Sequence, residues 1–270
     1  MASGVTPARK RNGSEYFRVS LTYRRKHISL GSFPTELEGY AAFREGKEIL
    51  QNPELSLFDY HFEDAILSFE KIVVLFNFRD NGIYLKTPIY LRESYFEYWY
   101  SVNSIYKFDI DDLFYFSGHK LQKRGGHLFV ADYGSQVSIL TRYGIRSYAV
   151  CGRDFVFVNG DNTDFRMSNI QIINAYYGVE KTDALSPKYR TRIHINGNYL
   201  IGTFETAEEA AIAYNKACDA AHDAGLKKNF PQNYIEQLSP REYAEIYSRI
   251  TLPKKYRTYL RETLIKSSLP

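Results

Sequence analysis

The clearest alternation of polar and apolar positions runs from Tyr189 to Ile195, where Arg190, Arg192 and His194 interleave with Thr191, Ile193 and Ile195. A period of two predicts a half-buried strand. Asn196-Gly197 follows, the pair preferred in a two-residue type I′ hairpin turn, and Asn198 to Phe204 reads as the returning strand. Thr206 and Glu209 stand at capping-box spacing. Ala210, Ala213, Tyr214, Ala217 and Ala221 then recur at helical spacing. The pattern predicts strand, turn, strand and helix, with alanines letting the helix lie close to the sheet.

The same pattern occurs near the other end of the chain. Leu30 to Phe43 reads L-G-S-F-P-T-E-L-E-G-Y-A-A-F, and Ile201 to Tyr214 reads I-G-T-F-E-T-A-E-E-A-A-I-A-Y. The two align without a gap, and Thr35 and Glu38 repeat the capping box. Gly39 and Gly46 weaken the first helix by about 1 kcal/mol each relative to alanine. With a two-residue turn in the second copy, Ile195 is expected opposite Asn198, His194 opposite Tyr199, and Arg192 opposite Ile201. One helix covers one face of a sheet, so Ile193 and Leu200 are expected beneath it. Arg190, Arg192, His194, Tyr199 and Thr203 are then left on the open face. In the first copy, Arg18, Ser20, Thr22, Tyr23, Arg24, Arg25, Lys26 and His27 occupy the strand and turn. Arginines on such a face suit phosphates and guanine edges in a DNA major groove; the competing reading is a solvated face.

Between the copies the pattern is aromatic. Phe62 to Phe69 reads as a helix start, Lys71 to Phe78 as a short apolar strand, and Asp80-Asn81-Gly82 as a turn, giving an α+β core. Beyond the second copy, Ser239-Pro240-Arg241-Glu242 opens a helix with serine at the cap and proline at its first position. Tyr243, Ile246, Tyr247 and Ile250 form its apolar stripe. Pro253 breaks it, and a basic helix is expected from Lys254 to Lys266.

Composition sharpens this picture. The 270 residues suggest about two domains with small extra modules. No run of about eighteen apolar residues is present, so no membrane-spanning helix is expected, and the basic start of the chain does not read as a secretory signal. Two distant cysteines, Cys151 and Cys218, exclude a disulfide framework and a cysteine zinc site and fit a reducing cytoplasm. The 24 Tyr and 18 Phe exceed what an average domain carries and make a homodimer plausible. Net charge is +4, but Glu54 to Tyr115 holds 11 acids against 5 bases. Basic ends around an acidic middle suit a polyanion held at two places.

Residues Lys188 to Pro231, through G-T-F-E-T-A-E-E-A-A-I-A-Y and the Asn229-Phe230-Pro231 tail, resemble the Apetala/ethylene-response-factor (ERF) type DNA-binding domain. The resemblance implies a three-stranded antiparallel sheet laid in the major groove and backed by one helix. Glu15 to Leu50 resembles a more divergent copy. Gly125 to Ile173 resembles the HNH (ββα-metal) homing endonucleases, through Arg142, Asn159-Gly160-Asp161, Asp164, Arg166, Ser168, Asn169 and Ile170. In that resemblance a hairpin, an acidic turn and an asparagine-bearing helix follow in order. Thr141, Phe157 and Phe165 fall where the family carries its general base and metal ligands. A phenylalanine neither binds a metal nor moves a proton, so the resemblance implies a retired active site. His119, His127, Asp132, Asp154, Asp161 and Asp164 are the material from which another site would have to be built.

The expected fold class is α+β, with two small three-stranded-sheet-plus-helix modules flanking a degenerate HNH-like core. The expected organisation is a flexible basic arm (1–13), an N-terminal module (14–52), the core (53–178), a C-terminal module (186–232) and C-terminal helices (238–270). The expected partner is double-stranded DNA. The DNA contacts are Arg190, Arg192, His194, Tyr199 and Thr203, with Arg18, Ser20, Tyr23, Arg24, Arg25, Lys26 and His27, and with Lys123, Arg124 and Arg142 from the core. Lys120, Arg146 and Arg153 are further candidates for phosphate. No catalytic residue, metal or cofactor is expected. The expected role is transcription regulation in a bacterial cytoplasm, at the nucleoid. An active nuclease with unusual ligands and an architectural DNA-binding protein are the alternatives.

Overall fold

The computed structural model describes residues 4–147, 149–182 and 185–267, with side chains up to residue 265. The first three residues of the expected arm lie outside this set. The fold is mixed α+β, with small antiparallel sheets and, among the described residues, six α-helices. No helix is long and apolar enough to cross a membrane, among the described residues. The chain divides into two compact units. One comprises residues 1–137 and 159–169, the other 138–158 and 170–270. The units part at 137/138, 158/159 and 169/170, within residues 125–173.

The first unit opens with β1 (Val5–Arg9), β2 (Glu15–Tyr23) and β3 (Lys26–Phe33), followed by α1 (Glu36–Gln51). They form a sheet in the order β1-β2-β3 with α1 on one face. Val5–Arg9 is thus a strand paired with β2, where a flexible arm was expected. Val19, Leu21, Ile28 and Leu30 pack against Ala42, Ile49 and Leu50 of α1. Thr35 and Glu38 close both halves of the capping box. Gly39 and Gly46 face the sheet: a Cβ on Gly39 would stand 3.2 Å from Val19, and one on Gly46 2.9 Å from Leu30. Their low helix propensity is offset by the close approach of helix to sheet that they permit.

The rest of this unit contains α2 (Phe69–Asn81), β4 (Ile89–Leu91), β5 (Tyr95–Ser101), β6 (Ser104–Asp109), α3 (Leu113–Gly118), β7 (Leu121–Arg124), β8 (His127–Asp132) and all but the last residue of β9 (Ser135–Ser138). Lys71 to Phe78, expected as a strand, lies inside α2. Ser68 caps that helix and Gly82 ends it in the left-handed conformation. Ile72, Val73, Leu75, Phe76 and Phe78 are buried, so an all-round apolar run here means a buried helix. Sheet β4-β5-β6 carries much of the aromatic surplus. Phe108 packs on Phe116 with centroids 4.3 Å apart, and on Phe96 and Phe165 at 5.5 and 5.7 Å.

The second unit contains β10 (Phe155–Phe157), β11 (Ile170–Ile172), β12 (Val179–Lys181), β13 (Tyr189–His194), β14 (Asn198–Phe204), α4 (Ala207–Asp223), α5 (Pro240–Arg249) and α6 (Lys254–Ser267). Strands β12-β13-β14 form a sheet backed by α4. Strand β12 precedes the stretch from 186 in which the module was expected. Thr206 accepts from the Glu209 N–H at 3.1 Å, one half of the expected capping box. Ser239 and Glu242 form a complete box, with Pro240 in the first turn. The α5 stripe packs beside Ala210, Ala211 and Ile212, and Leu252, Tyr256 and Leu260 pack beside Ala213 and Ala217. The C-terminal helices therefore complete the core of the second module.

The two modules match at the level of register. In the first, Arg18 pairs with Ser32, Val19 with Gly31 and Ser20 with Ser29, so Leu30 is an extra residue in a bulge. In the second, Arg190 pairs with Thr203, Thr191 with Gly202 and Arg192 with Leu200, so Ile201 is the extra residue. Ser20 N–H donates to the Gly4 carbonyl at 2.9 Å, and Arg192 N–H donates to the Gly178 carbonyl at 2.8 Å. Each module thus begins with a Gly-Val pair, Gly4-Val5 and Gly178-Val179, whose valine is buried. Each glycine has a positive φ and faces an aromatic ring of its helix, Phe43 or Tyr214.

A side chain at Gly178 would run into the Tyr214 ring and stand 2.5 Å from the Arg192 carbonyl oxygen. Gly178→Ala is expected to destabilise the second unit by at least about 2 kcal/mol, combining positive-φ strain with overpacking. Gly125→Ala, at a positive-φ position with open space, is expected to cost about 1 kcal/mol. Urea unfolding of both variants checks the difference.

Candidate nucleic-acid interface

The open face of the second sheet is set by the bulge. On the turn side of Ile201 the pairs are Arg192 with Leu200, Ile193 with Tyr199 and His194 with Asn198. The expected two-residue turn is a three-residue connection, in which Ile195 N–H donates to the Gly197 carbonyl at 3.1 Å. Burial of the Ile195 side chain in the same core as Ile193 accompanies this change. Tyr199 shares the helix-side face with Ile193 and packs on Tyr259 and Tyr256, centroids 4.8 and 5.5 Å away. Leu200, expected beneath the helix, is exposed opposite Arg192. Past the bulge the expected register returns, and Arg190 stands opposite Thr203.

Arg190, Arg192, His194, Asn198, Leu200 and Thr203 therefore occupy the bare face. His194 Nδ1 lies 3.0 Å from the Asn198 side-chain oxygen. Glu180 of β12, which the sequence reading missed, stands opposite Arg190 and reaches the Arg192 guanidinium at 3.5 Å. Thr191 points the other way, and its hydroxyl donates to the Ala210 carbonyl at 2.8 Å. Such a face offers forked donors and one counter-charge, able to meet phosphate oxygens or purine edges.

The first sheet presents a different surface on the same backbone. Arg18 is its exposed arginine, held by the Tyr16 hydroxyl at 2.7 and 3.0 Å. Ser20, Thr22, His27, Ser29 and Ser32 are the other open-face residues of β2 and β3. Tyr23 belongs to the opposite side, edge-on to Phe78 with centroids 5.6 Å apart. Arg24 and Arg25 form a two-residue turn with φ of 45° and 65°, the left-handed pair that a type I′ turn demands. The Arg24 guanidinium lies over the Tyr23 ring and reaches the Phe78 carbonyl at 3.4 Å. Arg25 and Lys26 are exposed at the tip.

The remaining candidates fall into four groups. Lys123 and Arg124 are exposed at the end of β7, with Lys123 donating to the Tyr106 hydroxyl at 3.3 Å. Lys120 pairs with Glu70. In the second unit Arg142 is exposed on a short 3-10 turn, Ile139–Tyr143. Arg146 and Arg153 instead hold the buried Asp154 at 2.5 and 2.7 Å.

The turn after β10 is a hydrogen-bonded scaffold. Asp164 is fully buried and accepts from Arg166 Nη2 at 2.6 Å, Arg166 Nε at 2.8 Å and Asn159 Nδ2 at 3.1 Å. Asn169 donates to the Asp164 carbonyl at 2.9 Å and accepts from the Asn159 N–H at 2.8 Å. Asp161 accepts from the Thr163 hydroxyl and from Lys107, at 2.6 and 3.0 Å. An asparagine-bearing helix was expected here. The structure has one 3-10 turn, Met167–Asn169, running into β11. Thr141 donates its hydroxyl proton to the Ser138 carbonyl at 2.7 Å, and Phe165 is buried against Phe108. Among the described residues, no three His, Cys, Asp or Glu side chains lie together as a metal ligand set would require. No protein-family model, curated protein or solved structure matches the chain.

The Thr163 bonds and Lys107 hold the Asp161 carboxyl down at about 2. Burial works against the charge on Asp164, but the Arg166 and Asn159 bonds outweigh it and leave its carboxyl below the ordinary range. Asp154 is depressed in the same way by Arg153, the Val150 N–H and Arg146. Folded carboxyls with depressed values stabilise the fold above the unfolded value near 4 and lose that contribution as pH falls towards 2. The urea midpoint is expected to fall across that window, and less steeply in Asp164→Asn. Equal slopes for the two proteins would contradict this role for Asp164.

Proposed function

We propose that the chain is a sequence-specific double-stranded DNA-binding protein acting as a bacterial transcription regulator. Its two ERF-like modules would flank a core derived from an HNH homing endonuclease that no longer cuts. The observation carrying this reading is the repeated unit. Two three-stranded sheets share one register, one bulge and one helix placement, and each leaves a face bare. In the second module that face carries Arg190, Arg192 and His194 on one strand.

The two faces suggest a division of labour. The second has the forked donors for base edges. The first has hydroxyls, Arg18 and the Arg24-Arg25 tip, which suit backbone contact. Linking two modest modules raises affinity through effective concentration. The core is proposed to be non-catalytic because Asp161, Asp164 and Asn169 are tied into the turn and Phe165 fills a hydrophobic core. Work at the nucleoid is part of the same proposal.

On a selected duplex, Arg190→Ala or Arg192→Ala is expected to cost about 1–3 kcal/mol of affinity if the side chain reads a base edge. Loss of a phosphate-contacting cation is expected to flatten the salt slope by about one. Glu180→Gln removes a carboxylate from the face and releases Arg192, and is expected to tighten binding about two- to fivefold. Fluorescence anisotropy at several KCl concentrations reads all three. Unchanged affinity in the arginine variants would contradict docking through this face.

A further inference from the structure

The two modules differ at the edge of the middle strand, beyond the first Gly-Val pair. In the second module the chain itself covers that edge. After α4, the Lys228 ammonium donates to the carbonyls of His194 and Ile195 at 2.8 and 3.4 Å. Phe230 is buried beside Ile193, Ile195 and Ala217, its ring 5.6 Å from that of His222. Asn233 then bonds both main-chain groups of Tyr177, next to Gly178. The segment 226–233 thus covers the edge of β13 through the Lys228 side chain and seats one aromatic side chain in the groove.

In the first module the same place is a cavity of about 400 Å³. Its lining includes Gly4, Thr22, Phe43, Lys47, Leu50 and Gln51. By the repeat these match Gly178, His194, Tyr214, Cys218, Ala221 and His222, the surroundings of the 226–233 segment. The floor is apolar, with Leu50 buried and Phe43 half-buried. The rim carries exposed Lys47 and His27 where the second module has Cys218 and Asn198, and among the described residues no carboxylate lines it. Ser20 N–H already reaches the Gly4 carbonyl across this edge. Residues two apart on a strand point their main-chain groups the same way, so those of Thr22 face the cavity.

We propose that this groove binds an extended, acidic segment of a partner protein, which adds to the edge of β2 and places one aromatic side chain on Phe43 and Leu50. Strand addition supplies main-chain hydrogen bonds, and the pocket supplies selectivity. The aromatic requirement follows from Phe230, which fills the equivalent groove. The acidic requirement follows from charge complementarity with Lys47 and His27. The proposal concerns the edge of the sheet, which shares Thr22 and His27 with its open face, and stands whether or not the chain binds DNA.

The test uses the full chain without DNA and two labelled heptapeptides. One is Leu-Lys-Lys-Asn-Phe-Pro-Gln, the sequence of residues 226–232; the other carries K227E and K228E. Anisotropy titration is expected to show saturable binding of the glutamate peptide, lost when its phenylalanine becomes alanine. Lys47→Glu is expected to weaken the glutamate peptide about tenfold and to favour the lysine peptide by a similar factor. Lys47 is exposed, so the variant should melt as the parent does. Absence of saturable binding by either peptide, or identical binding to parent and variant, would overturn the proposal. So would phenylacetate binding at this groove while neither peptide binds, which would point to a small aromatic acid.

Discussion

One helix can cover one face of a three-stranded sheet, and the other face is left to water or to a partner. Both modules are built around this constraint. The helix lies close because its sheet-facing positions are small, Gly39 and Gly46 in the first copy and Ala210 and Ala217 in the second. The edge strand is locked by a positive-φ glycine beneath an aromatic ring of the same helix. A bulge at Leu30 or Ile201 lets one residue more enter each sheet. These features fix which side chains are left outside, so the chemistry of the open face follows from packing on the hidden one.

On this shared backbone the two copies have moved apart in charge and covering. The second face presents Arg190, Arg192 and His194 with Glu180 as a counter-charge, and its strand edge is closed by the chain's own Phe230 and Lys228. The first face is rich in hydroxyls, and its edge borders a cavity with a lysine at the rim. Its Arg24-Arg25 turn stands in a conformation that costs about 1 kcal/mol or more per non-glycine residue. The Phe78 carbonyl and the Tyr23 ring offset part of this for Arg24. Elsewhere, the residues that suggested a nuclease, Asn159, Asp161, Asp164, Arg166 and Asn169, hold one turn together through their own hydrogen bonds.

The repeat, both helix caps and the α+β class were legible because they rest on local rules: alternation, capping chemistry and small-residue stripes. Tyr199 was misplaced because the three-residue turn and the bulge at Ile201 put the stretch between them one position out of the expected register; the strand-interior glycine beside each bulge, Gly31 and Gly202, was the available signal. Asn196-Gly197 suggested a primed turn there, yet Ile195 is drawn into the core, and the primed turn occurs at Arg24-Arg25. Lys71 to Phe78 looked like a strand because a helix buried all round loses its periodicity. Strands β1 and β12 were missed because they are short and carry few apolar residues. Their shared signal, a Gly-Val pair at the start of each module, was available in the sequence. Glu180 was missed with its strand.

The central proposal is that two sheet faces of one chain hold a DNA duplex, the second reading its sequence, without cutting it. The most direct measurement is selection from a random duplex library, with and without magnesium, followed by sequencing of bound molecules and of their ends. The account predicts one enriched motif, the same in both conditions, carried on duplexes with intact ends. Recovery of all sequences equally, or magnesium-dependent ends at a fixed position, would contradict it.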